Sequence, residues 1–308
     1  MTPIDRTPAS AVDVRGLSTR YGERLVLDGL DLEIPAGQRV AVLGPNGAGK
    51  STLIEILEGI RRPSSGELAV LGVDPATAPE SWKSRIGVVL QSWRDHGAWR
   101  VEDLLAYIAA AHRSAGRTEL WDVGELLGAV GLAEQARQRL RPLSGGQRRR
   151  IDVAAALLGC PELLFLYEPT TGFDPVVRRD FHRLMNSLAP GTTIVWATHD
   201  LQEAQKMCDR ILILNGGRIT ADGSPEGLRT AMSSETTVTW RTGAGPQGRR
   251  LAEPRELIAE LAVDPDVDDL EVRRGSLEDA YLAIVTAAEG GEPIETVAEV
   301  ELGTAVRA

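Results

Sequence analysis

The sequence predicts an α/β fold built around a parallel sheet, and three observations carry that prediction. Leu163 to Leu166, Thr193 to Ala197 and Arg210 to Leu214 are apolar runs without polar alternation. Such runs suit parallel strands covered on both faces. A further short apolar run, Arg39 to Leu43, feeds the glycine-rich turn Gly44-Pro45-Asn46-Gly47-Ala48-Gly49-Lys50-Ser51. A helical pattern then follows from Lys50 to about Leu57, and strand, glycine loop and helix in that order form a phosphate-binding unit.

The remaining elements follow in chain order. Residues 11 to about 34 alternate apolar and polar positions, as in Leu30-Asp31-Leu32-Glu33-Ile34, which predicts antiparallel edge strands. Ile86 to Leu90 predicts another strand. Residues 101 to 141 carry helical spacing in Val101-Leu104-Leu105-Ile108 and Leu126-Leu127-Val130, with breaks near Gly116 and Gly131. Helices are expected between the later apolar strands, so that residues 11–232 form one large domain. Residues 233–288 suggest a small α+β appendage. It has strands at Thr236 to Trp240 and Leu270 to Arg273, and helices at Pro254 to Leu261 and Ser276 to Val285. Ser233-Ser234 and Gly243 to Gly248 read as loops. Residues 1–10, and the acidic stretch 289–308 with Glu292, Glu295, Glu299 and Glu301, are expected to be flexible ends.

Composition narrows the function. The chain has 308 residues, of which 43% are hydrophobic and 25% charged, as expected for an ordinary globular protein. No apolar run approaches the ~20 residues needed to cross a bilayer, and Met1 to Ser10 lack the apolar core of a signal peptide. A cytoplasmic location is therefore expected. Cys160 and Cys208 are expected as reduced, partly buried thiols. A net charge of −10 argues against nucleic acid as a partner. Only Lys50, Lys83 and Lys206 are lysines among 34 basic residues, so the lysine in the phosphate loop stands out. A compact ammonium fits between phosphates where a planar guanidinium does not substitute freely.

Leu143-Ser144-Gly145-Gly146-Gln147 lies between the phosphate loop and the apolar run ending in Glu168. With that pentapeptide in that place, the chain resembles the ATP-binding subunits of ABC transporters over about residues 11–230. The resemblance implies an ABC-type P-loop NTPase with an antiparallel β subdomain and a helical subdomain. It implies ATP and Mg²⁺ as cofactors. Gly44, Asn46, Gly47, Gly49, Lys50, Ser51 and Thr52 would contact the nucleotide, and Tyr21 would stack on adenine. Ser51 and Gln91 would hold Mg²⁺, with Gln91 also sensing the membrane subunit. Glu168 would be the general base and His199 would touch the γ-phosphate.

Ser144, Gly145, Gly146 and Gln147 would serve the nucleotide of an opposite subunit, and Asp174 would lie in the loop joining the two sites. The implied partners are a second ATPase subunit, identical or homologous, in a head-to-tail dimer, and an integral membrane permease. Such a chain sits peripherally on the inner face of the cell membrane. Trp93 and Trp99, within Ser92 to Glu102, are expected to face the permease.

Arg148-Arg149-Arg150 after the signature resembles the drug-export branch, including daunorubicin-resistance type ATPases, as does Arg274 to Leu282. In so arginine-rich a protein these arginines also suit a solvated helix face. His96, His112 and His182 have no functional context and are expected on the surface.

One position departs from the family. Leu163-Leu164-Phe165-Leu166 should be followed by an aspartate that helps hold Mg²⁺, and Tyr167 stands there instead. A phenol, with a pKa near ~10, supplies no charge at neutral pH. Its extra bulk brings local overpacking of ~1–3 kcal/mol into consideration, and a lost charge-assisted contact ~1.5–3 kcal/mol. Two readings follow: a working ATPase with weaker Mg²⁺ binding, or a slow, regulatory subunit. An import ATPase is a further alternative to an exporter.

Overall fold

The computed structural model describes residues 10–90, 96–232, 236–243, 245–251, 253–274, 278 and 281. Its elements run β1 (Ser10–Tyr21), β2 (Arg24–Pro35), β3 (Arg39–Leu43), α1 (Lys50–Leu57), β4 (Ser65–Val70), α2 (Glu80–Lys83) and β5 (Ile86–Val89). Then follow α3 (Val101–Ser114), α4 (Val123–Ala129), α5 (Gly145–Leu157), β6 (Leu163–Tyr167), α6 (Pro175–Leu188), β7 (Thr193–Ala197) and α7 (Leu201–Met207). The chain continues through β8 (Arg210–Asn215), β9 (Arg218–Gly223), α8 (Pro225–Met232), β10 (Thr236–Thr242), β11 (Gly245–Leu251), α9 (Arg255–Val263) and β12 (Asp268–Arg274).

The central sheet has the order β5-β6-β7-β3-β8-β9. Its first five strands are parallel and β9 closes the edge antiparallel to β8. The apolar runs explain this arrangement. Alternate residues of each strand enter two different cores. Phe165, Val195, Val42 and Leu212 pack with Leu53 and Ile54 of α1 and with Val12 and Leu30 of the antiparallel sheet. Leu166, Trp196, Ala41 and Ile213 pack on the other side with Phe181 and Met185 of α6, and with Ala204 and Met207 of α7. Neither face meets water, so no polar alternation is needed.

A separate apolar cluster holds the helical region together, with Val101, Leu105, Leu126, Leu127 and Ile151 at its centre. The expected breaks at Gly116 and Gly131 fall at the ends of α3 and α4, where both glycines have positive φ.

Several local expectations need correction. β1 is not an edge strand; it is the middle of a sheet ordered β2-β1-β4. The sequence of β4, Ser-Gly-Glu-Leu-Ala-Val, carries too little alternation to announce itself. Gly243 to Gly248 is not all loop. β11 begins at Gly245, and Thr242 pairs with Gly245 as the hairpin closes. Backbone pairing, rather than side-chain pattern, makes that strand.

β10 is the centre of the small sheet β11-β10-β12, and Val238, Trp240 and Leu261 form its buried core. Glu278 and Tyr281 are helical, and Tyr281 packs against the core that holds Phe181 and Met185. The rest of the expected helix Ser276 to Val285, residues 1–9 and 289–308 of the two expected flexible ends, Ser233-Ser234, Gln91 and Trp93 lie outside the described residues, whereas Ser10 opens β1. Both cysteines are free, with Cys208 buried and Cys160 half-buried. Among the described residues no helix is long and apolar enough to cross a membrane.

Candidate nucleotide site

The phosphate loop joins β3 to α1 at the carboxyl edge of the parallel sheet. Gly49 at φ 106° is the N-cap of α1. A Cβ there would lie 2.7 Å from the Leu27 side chain, so both space and backbone angle demand glycine. The Lys50 ammonium folds back over the loop, donating to the Gly44 carbonyl at 2.6 Å and the Pro45 carbonyl at 3.0 Å. Burial lowers its pKa, and the nearby Glu168 opposes that shift. A cavity of about 310 Å³ opens beside the loop, lined by Tyr21, Asn46, Gly47, Gly49, Lys50, Ser51, Thr52, Tyr167 and Glu168. The Tyr21 hydroxyl lies 3.2 Å from Thr52 Oγ1. The Arg61 guanidinium sits 4.5 Å from the Tyr21 ring centroid, so one ring face already carries a cation. The residue is still 41% exposed.

β6 and β7 deliver the next two expected residues side by side, because Tyr167 pairs with Ala197 in parallel register. Glu168 Oε2 lies 2.7 Å from His199 Nδ1 and accepts from Thr171 Oγ1 at 3.2 Å. Glu168 has φ 41°, a left-handed conformation unusual for a residue with a side chain. Strain of this kind concentrates at functional sites.

Tyr167 does not aim at the loop. Its hydroxyl donates to Glu58 Oε2 at 3.2 Å, just past the end of α1, and its ring packs against the core beneath the loop. Burial pushes the Glu58 carboxyl up to about 8, only partly opposed by the phenol hydrogen bond. Burial first, and then the Glu58 charge, raise the phenol well above its ordinary value. Tyr167 is therefore a neutral donor throughout the physiological range.

The signature segment is built as a helix start. Ser144 caps α5, accepting from the Gln147 amide at 3.3 Å, while the Gln147 side chain accepts from the Ser144 amide at 3.0 Å. That reciprocal capping box fixes the exposed Ser144 and Gly145 at the helix tip. Asp174 caps α6 with its side chain alone, accepting from the Val176 and Val177 amides. Gly145, Gly146, Gly172 and Asp174 line a second cavity of about 410 Å³. None of Ser144 to Gln147 lines the phosphate-loop cavity, and Glu168 borders both.

Sequence reasoning missed three groups. Glu203, 3% exposed, accepts from Thr170 Oγ1 at 2.6 Å, Thr198 Oγ1 at 3.0 Å, Trp196 Nε1 at 3.1 Å and His182 Nε2 at 3.1 Å. His182 is thus a core residue, not a surface one. His112 is half-buried, while His96 is exposed. Arg149 is 7% exposed, so it does not lie on a solvated helix face. Glu58 is the third. For Glu203 the available signal was its place in Thr198-His199-Asp200-Leu201-Gln202-Glu203, one helical turn beyond the strand end.

A parallel sheet with a phosphate loop, a capped glycine signature and a Glu–His pair at neighbouring strand ends defines an ABC-type nucleotide-binding ATPase. The family model "ABC transporter" matches residues 27–171. The chain is 32% identical to the daunorubicin/doxorubicin resistance ATP-binding protein DrrA of Streptomyces peucetius, over 97% of this chain and 99% of that protein. It is 38% identical to the Nod factor export ATP-binding protein I of Rhizobium leguminosarum bv. viciae, over 71% of this chain and 70% of that protein. A solved ATP-binding subunit of an ABC transporter superposes with a TM-score of 0.64 at 28% identity, covering 72% of this chain and 92% of the other. The chain belongs to the ABC transporter family, as one of its ATPase, nucleotide-binding members.

Proposed function

We propose that this chain hydrolyses ATP in a head-to-tail dimer and thereby drives export of a small molecule through a separate membrane permease. The molecule is a drug, antibiotic or lipid-like compound. The observation that carries the reading is the separation of the two half-sites. The phosphate loop and the capped signature line different cavities, so a signature from a second subunit completes each nucleotide site. Relatives named for drug resistance and for Nod factor export support the direction of transport. His96, Trp99 and Tyr107 form an edge-to-face ladder with centroid spacings of 5.5 Å. Tyr107 is 63% exposed, an aromatic face suited to a permease on the inner side of the membrane.

Lys50 would exchange its two loop carbonyls for phosphate oxygens, and the loop amides would cradle the rest of the anion. Glu168, held by His199 and Thr171, takes the proton of the attacking water. Tyr21 offers its ring to adenine. Ser51 lines the phosphate-loop cavity, where its hydroxyl suits a Mg²⁺ ion whose other ligands are phosphate oxygens and waters. Ser51 and Gln91 would hold that ion, which supplies neutralisation of phosphate charge.

Mixing two inactive variants tests the dimer. Lys50→Ala and Ser144→Arg each abolish turnover alone, and their mixture regains activity because one mixed site is intact. Failure of any recovery, with dimers shown to exchange, rules out the head-to-tail arrangement.

A second reading, a slow regulatory subunit, is favoured by Tyr167, whose phenol serves Glu58 and brings no charge to the loop. Tyr167→Asp should raise Mg²⁺ affinity or turnover roughly ten- to a hundredfold, matching ~1.5–3 kcal/mol for a charged contact. Unchanged values in Mg²⁺ titrations would remove the importance of this position.

A further inference from the structure

Arg149 stands one turn into the signature helix, yet its guanidinium is buried beneath the neighbouring site. Nε donates to the Pro169 carbonyl at 2.8 Å and one terminal nitrogen donates to the Tyr167 carbonyl at 3.0 Å. The other terminal nitrogen donates to the Leu90 carbonyl. Tyr167 and Pro169 are the residues on either side of Glu168. One planar group therefore grips the chain immediately before and after the carboxylate-bearing residue. It also grips the last residue before Gln91.

Glu168 needs such a clamp. Its φ of 41° is a conformation that side-chain-bearing residues avoid, and it persists only where the surroundings over-determine it. The Glu168 amide donating to the Ala197 carbonyl at 2.8 Å is one restraint. The Thr171 amide donating to the Glu168 carbonyl at 3.2 Å is a second, and the two flanking carbonyls held by Arg149 add restraint from the signature helix. Asp152 Oδ2 lies 3.9 Å from the guanidinium and provides its counter-charge.

We infer that Arg149 is a positioning residue that aims Glu168 and ties that aim to the placement of the signature helix. Ser144, Gly145 and Arg149 share α5 and its cap. Movement of the helix tip, which serves the opposite nucleotide, therefore pulls on the backbone around Glu168. The inference rests on Glu168 being the general base.

Steady-state ATP hydrolysis by the full chain tests it, with ATP binding measured separately. Arg149→Lys keeps the charge and loses the planar fork. Misaiming a reacting group by ~1 Å costs on the order of a hundredfold, so kcat should fall roughly ten- to a hundredfold with KM and ATP Kd little changed. In a Glu168→Gln background the same substitution should cause no further loss. A folded Arg149→Lys chain with normal kcat, or one whose defect lies wholly in KM, overturns the inference.

If Arg149→Lys does not fold, Arg149→Met with Asp152→Leu removes both buried charges together and is read by the same criteria. Wild-type turnover in Glu168→Gln alone would instead overturn the assignment of the base.

Discussion

Two buried glutamates flank the candidate site, and their surroundings differ sharply. Glu203 lies under the ends of β6 and β7 and receives hydrogen bonds from four side chains, on β7, on α6 and in the loops after β6 and β7. Glu58 lies under the phosphate-loop helix and receives one, from Tyr167, while its Oε1 is buried without a partner. Both Glu203 oxygens are satisfied, although His182 Nδ1 in the same cluster is buried without a partner. A buried carboxylate satisfied at both oxygens stiffens what it touches, and a half-satisfied one is a cost carried by the fold. The satisfied side holds Thr170 and Thr198, which neighbour Glu168 and His199. The unsatisfied side is where Tyr167 replaces the family's aspartate.

The largest expected effect comes from emptying the satisfied side. Glu203→Leu would leave two hydroxyls, an indole N–H and an imidazole without their acceptor in the core. An orphaned buried donor costs ~1–3 kcal/mol, so a total loss of about 3 kcal/mol or more is expected in chemical denaturation. A loss under ~1 kcal/mol would mean that the network is incidental to folding.

The same contrast explains what the sequence disclosed. The central strands were legible because both their faces are apolar, and the phosphate loop because glycine is required at Gly49. The signature was legible because its capping box needs Ser144 and Gln147 at fixed spacing. Arg149 and Glu58 were illegible because their partners come from distant segments, as do two of the four partners of Glu203, Thr170 and His182. The Arg149 hydrogen bond to Leu90 spans 59 residues and the Tyr167 bond to Glu58 spans 109. A charged residue in a helix reads as solvent-facing until the tertiary neighbours are known. The Tyr167 substitution could be seen in the sequence, but the direction of its hydroxyl could not.

The smaller effect concerns the unsatisfied side and appears as pH dependence. The Glu58 carboxyl is raised from 4.5 to about 8. Between those values the native chain holds the Glu58 proton and the unfolded chain has released it. Unfolding then releases a proton, so stability falls as pH rises through this window. Asp152, raised from 3.8 to about 6 by burial against the pull of Arg149 and Arg148, adds the same sign over a lower range. Glu58→Gln removes the titration while keeping an acceptor for the Tyr167 hydroxyl. Its denaturation midpoints should therefore fall less than those of the unmodified chain between about pH 5 and 8. Near pH 8 the variant should be the more stable of the two, by ~1–3 kcal/mol, because a buried charge with one donor has been replaced by a neutral group. Parallel midpoint curves for the two chains would show that Glu58 is solvated or paired in the native state, and the contrast with Glu203 would vanish.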